Sequence, residues 1–170
     1  MRRLFFVISF ISMMTLVANA QKFALLDMEY IMKNIPSYKI MNKQLEDQSK
    51  KWQSEITKIE DEVSEMYKKY QNDMVFLSAE QKKKQEEAIV AKEKQGYDLK
   101  KKYFGPEGEM FKKRETMMKP IQDEIWKVLK DIALKNGFQM IIDRSSGKIV
   151  YADPNVDISS LVLSALGFAN

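Results

Sequence analysis

Two of the side chains that most often carry chemistry, histidine and cysteine, are missing from this 170-residue chain. With them go the commonest general base, the commonest metal ligand and every thiolate nucleophile. The nearest approach to a nucleophile cluster is Ser145-Ser146 between Arg144 and Lys148. Without a partner base these serines read as turn residues. Gly147-Lys148 is followed by Ile149, and no glycine stands five positions ahead of Gly147, so a phosphate-cradling loop is not formed. Asp143, Asp153 and Asp157 are spaced so that they suggest a weak calcium site. Acids at strand ends and helix caps explain them better, because no loop of alternating oxygen ligands surrounds them. No catalytic residue, no metal and no cofactor are expected, and the chain is not read as an enzyme.

What remains is binding. Lysine triplets at 82–84 and 100–102 offer charge to the phosphates of a nucleic acid or a lipid. The chain also holds 12 methionines and seven tyrosines. Most of the methionines outside 1–20 fit helix seams or a core, yet several large apolar groups stand beside or beyond the seams. Adaptable apolar side chains set among charges suit weak contact with many partners. The residues expected to touch a bound partner are Tyr67, Met74, Val75, Phe76, Leu77, Lys82, Lys83, Lys84, Ile89 and Tyr103.

Those residues lie on a long charged stretch that must form their support. Leu45, Trp52, Ile59 and Met66 fall seven apart, with Ile56, Val63 and Tyr70 interleaved. A second series runs Val90, Tyr97, Phe104, Phe111, Met118, Ile125, Ile132. Both spacings predict coiled-coil seams, and hence two long helices packed as a hairpin over residues 37–136. Ser78 and Gln81 have capping-box spacing, so a new helix starts there and the hairpin tip falls at about 75–78. Gly105-Pro106-Glu107-Gly108 breaks the descending arm and is expected to act as a hinge; Pro120 is expected to kink or restart it. Between Glu46 and Asp73 eight acids face five lysines, while from Glu80 to Lys102 eight lysines face five acids. Either the two arms pair through these opposite charges, or both faces are simply solvated.

The head comes from the two ends. Residues 22–28 read as a buried strand, and 29–34 as one helical turn, with Asn34 or Ser37 available to cap a helix opened by Pro36. Asn136-Gly137 ends the last arm helix. Residues 138–143 and 149–152 predict a hairpin of strands, and Asp157 caps a terminal helix with Leu161, Val162, Ala165 and Leu166 on its apolar side. The fold class is therefore α+β: residues 21–36 and 137–170 form a small β-rich head, from which the helical arm projects. Roughly 50 residues make too small a core to stand alone without staples. Oligomerisation through Phe23, Leu25, Leu26, Phe138, Met140, Ile141, Ile142, Ile149, Val150 and Tyr151 is the expected remedy.

Residues 1–20 read as a secretory signal: Arg2 and Arg3, an apolar run, then Ala18-Asn19-Ala20. The mature chain is expected to begin at Gln21, outside the cytoplasm. Removing the leader takes two arginines and leaves 26 basic residues against 24 acids, a net of +2. That near balance, with export, argues against nucleic acid and against a dedicated polyanion binder; a weak contact with membrane or lipopolysaccharide stays open.

The stretches FALLDMEYIMKNIPSYK, LSAEQKKKQEE, MMKPIQDEIWKVLKDIA and GFQMIIDRSSGKIVYADPNVDISSLVLSAL together resemble the Skp (OmpH-like) periplasmic chaperones across essentially the whole mature chain. The resemblance implies a homotrimer with a barrel-like head and three helical hairpins around a cavity. It also implies a periplasmic holdase that binds unfolded outer-membrane proteins without ATP. The GPEG break and the modest net charge depart from a straight arm and a strongly basic cavity. A coiled-coil envelope scaffold or adaptor bound to one folded partner is the alternative.

Overall fold

The computed structural model describes residues 22–168, so the expected leader lies outside them. Strand β1 (Phe23–Leu26) leads into α1 (Met28–Asn34), and the chain then enters α2 (Pro36–Asp73), 38 residues long. At 1.5 Å per residue α2 extends about 57 Å, more than a small head can cover. The chain turns, returns through α3 (Ala79–Phe104) and α4 (Glu109–Asn136), and closes with β2 (Met140–Asp143), a 3-10 turn (Pro154–Val156) and α5 (Ser159–Ala165). The architecture is the expected small sheet with a projecting helical hairpin.

Local signals decide most boundaries. Asp27 caps α1 by accepting the Tyr30 N–H at 2.9 Å. Pro36 opens α2, but neither Asn34 nor Ser37 caps it; Ile35 holds that position with no side-chain bond. A proline at the first position has no N–H to satisfy, so the missing cap costs less there. The Ser78 hydroxyl accepts from the Gln81 N–H, and the Gln81 side chain accepts from the Ser78 N–H, completing the capping box that starts α3. Gly137 at φ 71° ends α4 in the left-handed region that suits glycine. Pro120 neither ends nor restarts a helix: α4 runs through it unbroken.

The break at 105–108 is present as a close-packed turn. A Cβ on Gly105 would lie 2.4 Å from the Lys101 carbonyl oxygen, and one on Gly108 would lie 2.8 Å from the oxygens of both Lys102 and Tyr103. The Gly105, Gly108 and Lys112 N–H groups donate to Lys101, Gly105 and Gly108, respectively. Glycine is needed here for close approach, since both residues have negative φ.

The descending seam differs from its expected phase. Ile89 and Gly96 are buried and Tyr103, Met110 and Met117 are half-buried, whereas Val90, Tyr97 and Phe111 point outward and Phe104 lies at the edge. Below, Ile121, Ile125 and Ile132 are buried. The seam thus runs at sevens from 89 to 117 and then steps by four to 121, a stutter just at Pro120. Gly96 belongs to the seam because its bare Cα lets α2 approach: a Cβ there would stand 3.3 Å from Ile59 Cγ2.

In the head, β1 pairs with β2 in parallel, Phe23 opposite Met140 and Leu26 opposite Asp143. Parallel strands need a crossover, and here the whole arm supplies it. Residues 149–152 form no strand, so the expected hairpin and third strand are not made; Val150 is fully exposed and Tyr151 nearly so. The third element beside β1 is a single bridge from Leu25 to Asp157, with the Ile158 N–H donating to the Leu25 carbonyl at 2.8 Å. In α5 the buried side is Val162 and Leu163 with Ser159, while Leu161 and Ala165 face solvent. Asp157 accepts the Ser159 N–H, and Ile158 occupies the cap position.

One apolar cluster joins head and arm base. Ala24, Leu26, Ile31, Ile35, Met41, Leu45, Ile121, Ile125, Leu129, Ile132, Ile158, Val162 and Leu163 belong to it. Polar groups lock the two chain ends around it: the Asp27 N–H donates to Ser159 Oγ at 2.8 Å, and Arg144 reaches Asp157 at 3.0 Å. Asp143 accepts from the Met28 N–H and from both the hydroxyl and N–H of Ser145. Asp157 thus pairs with Arg144, and Asp153 caps the 3-10 turn by accepting the Asn155 N–H at 2.8 Å.

Candidate binding surface

The hairpin tip is the most exposed apolar region of the arm. Met74 is the C-cap of α2, and the turn that follows carries Val75, Phe76 and Leu77 before Ser78 caps α3. Val75 is 75% exposed and Phe76 86%. Leu77 is half-buried, as is Lys82, while Lys83 and Lys84 are exposed. Lys83 pairs with Glu87 along its own helix.

Below the tip, three phenols tie the arms together. Tyr67 donates to Glu93 at 3.1 Å, Tyr70 donates to Glu86, and Tyr103 donates to Glu55 at 2.7 Å. In each case the hydrogen bond to a carboxylate favours the protonated phenol and raises its pKa above the ordinary value of 10.0. Among the described residues Lys92 with Glu62 is the one ion pair between the arms; the other arm pairs run along a single helix. The opposite net charges of the two arms are therefore mostly solvated.

Two of the residues expected to contact a partner are instead committed to the hairpin. Ile89 is only 3% exposed and sits in the seam. Tyr103 stacks on Trp52, ring centroids 4.7 Å apart and planes within 7°. Tyr67, Met74, Val75 and Phe76 are exposed, Tyr67 with its hydroxyl engaged by Glu93. Val90, Tyr97 and Phe111 are exposed as well, at seven-residue spacing along one face of the descending helices. Periodicity alone places this stripe inside the hairpin; the structure turns it outward. Ile40, Trp126 and Leu134 add exposed apolar groups lower down, with Lys130 lying 5.4 Å over the Trp126 ring.

The head residues expected to form an oligomer core divide in two. Leu25 and Leu26 are buried within the single chain, and Phe138 and Ile141 pack against the same cluster. Phe23, Met140, Ile142, Ile149, Val150 and Tyr151 stand partly or wholly in solvent. Beside them a groove of about 350 Å³ runs between α4 and β2, lined by Trp126, Leu129, Phe138, Met140 and Ile141 among others.

Residues 22–166 match the family model described as Outer membrane protein (OmpH-like). A protein of Yersinia enterocolitica named Chaperone protein Skp is 27% identical over 146 residues, which cover 85% of this chain and 85% of that protein. A Chaperone protein Skp of Pectobacterium atrosepticum is 26% identical over 149 residues, 86% of each chain.

Proposed function

The chain belongs to the OmpH-like family, and from that premise we propose that it is a periplasmic, ATP-independent holdase for unfolded outer-membrane β-barrel proteins. The observation that carries the reading is the apolar surface on a projecting arm: Val75, Phe76, Val90, Tyr97 and Phe111 are exposed on a hairpin that stands clear of its head. Such groups, spread among charged neighbours and backed by a thin helix pair, favour many weak contacts over one fitted interface. Their sum holds a client firmly while each contact lets go quickly. Holding in this way needs no catalysis and no nucleotide.

The same proposal makes the working unit a homotrimer joined through the head. Support comes from Phe23, Met140, Ile142, Ile149, Val150 and Tyr151, which expose apolar area around a two-stranded sheet whose β2 edge has no partner among the described residues. An unpaired edge beside an extended apolar segment is where another copy adds strands most readily. The reading of residues 1–20 as a secretory signal supports export.

Replacing residues 67–90 by a short turn tests the reading. The shortened protein is expected to remain a trimer by mass while suppressing the aggregation of unfolded barrels less well. Protection equal to that of the full arm, or a monodisperse monomer of the unaltered protein at micromolar concentration, would overturn it. A tight one-to-one complex with a single folded envelope protein, without protection of unrelated barrels, would establish the scaffold alternative.

A further inference from the structure

The residues between the helix break and Pro120 close the arm with sulfur. Above them the seam uses Ile56, Ile59 and Ile89, and below them Ile121, Ile125, Leu129 and Ile132, all buried. In the segment 109–119 the inward positions fall to Met110, Lys113 and Met117, with Met118 beside them. Lys113 reaches Gln48 at 3.3 Å. The apolar contacts of this rung therefore come from thioethers, packed against the cluster that holds Met41 and Leu45. Met110, Met117 and Met118 are half-buried, so small solutes reach them, whereas Met41 is 3% exposed. A helix break lies on one side of this rung, and on the other Pro120 removes one backbone N–H from α4.

We propose that Met110, Met117 and Met118 form an oxidation-sensitive latch between α2 and α4 at the base of the arm. A two-electron oxygen donor such as hypochlorite transfers its oxygen to the thioether sulfur. One S–O bond forms from a sulfur lone pair, the O–Cl bond breaks, and chloride leaves; the thioether is oxidised by two electrons and hypochlorite reduced. The resulting sulfoxide is polar and needs a hydrogen-bond donor that an apolar seam does not supply. The helix pair then parts at this rung while the isoleucine seams on either side stay closed. Methionine sulfoxide reductases reverse the change, so the latch resets. With no cysteine in the chain, thiol oxidation cannot mask the effect.

The test uses the intact protein treated with a few equivalents of hypochlorite, with sulfoxides mapped by mass spectrometry and opening read by amide hydrogen exchange. Sulfoxides are expected at Met110, Met117 and Met118. Exchange at residues 41–48 and 110–119 should quicken by at least about tenfold, with residues 56–59 and 125–132 unchanged. Treatment with sulfoxide reductases should restore the original rates. Exposed Met74 and Met140 serve as internal controls, because their oxidation leaves exchange at the arm base unaltered. The proposal is overturned if oxidation stops at Met74 and Met140, or if sulfoxides form at the latch without faster exchange. It is also overturned if the variant with Met110→Leu, Met117→Leu and Met118→Leu responds to oxidant as the native chain does. None of these readouts involves a client, so the latch and the holdase reading stand or fall separately.

Discussion

Near the head the helices of the arm are joined by a continuous apolar cluster that also contains β1, α1 and α5. Beyond Trp52 the same two helices are joined by Ile56, Ile59 and Ile89, a bare glycine at 96, one ion pair and three phenol–carboxylate hydrogen bonds. The base buries a continuous set of large apolar side chains while leaving Ile40, Trp126 and Leu134 outside; the distal half buries only a few and leaves Val75, Phe76, Val90 and Tyr97 outside. A helix pair needs only a narrow stripe to stay together. Once a few isoleucines and polar rungs meet that need, the remaining faces are free to carry apolar groups for another purpose. The halves therefore differ in what holds the helices together: a broad apolar cluster at the base, a narrow stripe with polar rungs beyond it.

The largest expected effect comes from placing the same charge in both halves. Ile125→Asp buries an unpaired carboxylate in the cluster shared by head and arm, which should cost on the order of 4 kcal/mol or more and unfold the head. Ile56→Asp, equally buried, should open only the distal arm. Thermal unfolding followed together with amide exchange separates the two outcomes. Loss of the head from Ile56→Asp would show that the halves form one cooperative unit.

Next in size is the turn between α3 and α4. Gly105→Ala with Gly108→Ala drives two Cβ atoms into backbone oxygens, and a backbone shift at this site should cost roughly 2 kcal/mol. Exchange across residues 101–112 should quicken while the head transition stays in place. An unchanged exchange pattern would mean that the turn is a loose hinge after all.

The contrast also explains which parts of the molecule could be read from sequence. Ser78 with Gln81, Gly137 and the 105–108 break act within a few residues, so their residue types alone located the tip, the end of α4 and the interruption. The phase of the descending seam depends on what faces it across the hairpin. Val90, Tyr97, Phe104 and Phe111 make the more apolar stripe, yet the neighbouring stripe through Ile89, Gly96 and Tyr103 wins. Gly96 admits α2 closely, and Tyr103 stacks on Trp52 while its hydroxyl reaches Glu55. A glycine carries no hydrophobic signal, so periodicity could not register its role. The parallel pairing of Phe23 with Met140 joins positions a whole arm apart, and the unformed strand at 149–152 has no partner among the described residues.

A smaller pair of effects separates the halves by pH. Asp143 would be raised by burial, but hydrogen bonds from Ser145 and the Met28 N–H outweigh that and leave it below its ordinary 3.8. Its stabilisation is complete above that unfolded value and is lost as the pH falls through the folded one. The head should therefore weaken in acid below about pH 4. The arm phenols have the opposite sign. Their folded pKa values lie above 10.0, so their contribution is full below that and disappears as the pH rises through the folded values. Tyrosinate absorbance and helical circular dichroism should report distal opening in alkali with the head intact. Tyr67→Phe, Tyr70→Phe and Tyr103→Phe together should abolish that step.

The smallest expected effect on stability comes from the outward stripe. Val90, Tyr97 and Phe111 are 59%, 66% and 47% exposed, so replacing them by serine removes little burial. Surface changes of this kind usually stay within about 0.5 kcal/mol. Valine and aromatic residues are no better helix formers than serine, so helix propensity offers no hidden penalty. If these side chains are held outside for clients, the triple serine variant should unfold at the native temperature but retain an unfolded barrel protein less well. Raising the salt concentration should weaken retention by the native chain only in part, because screening leaves apolar contacts in place. The serine variant should lose proportionally more of its residual binding in salt, since charge carries what remains. Equal retention by native and variant proteins would place client contact at the tip alone and reduce the stripe to solvent-facing residue.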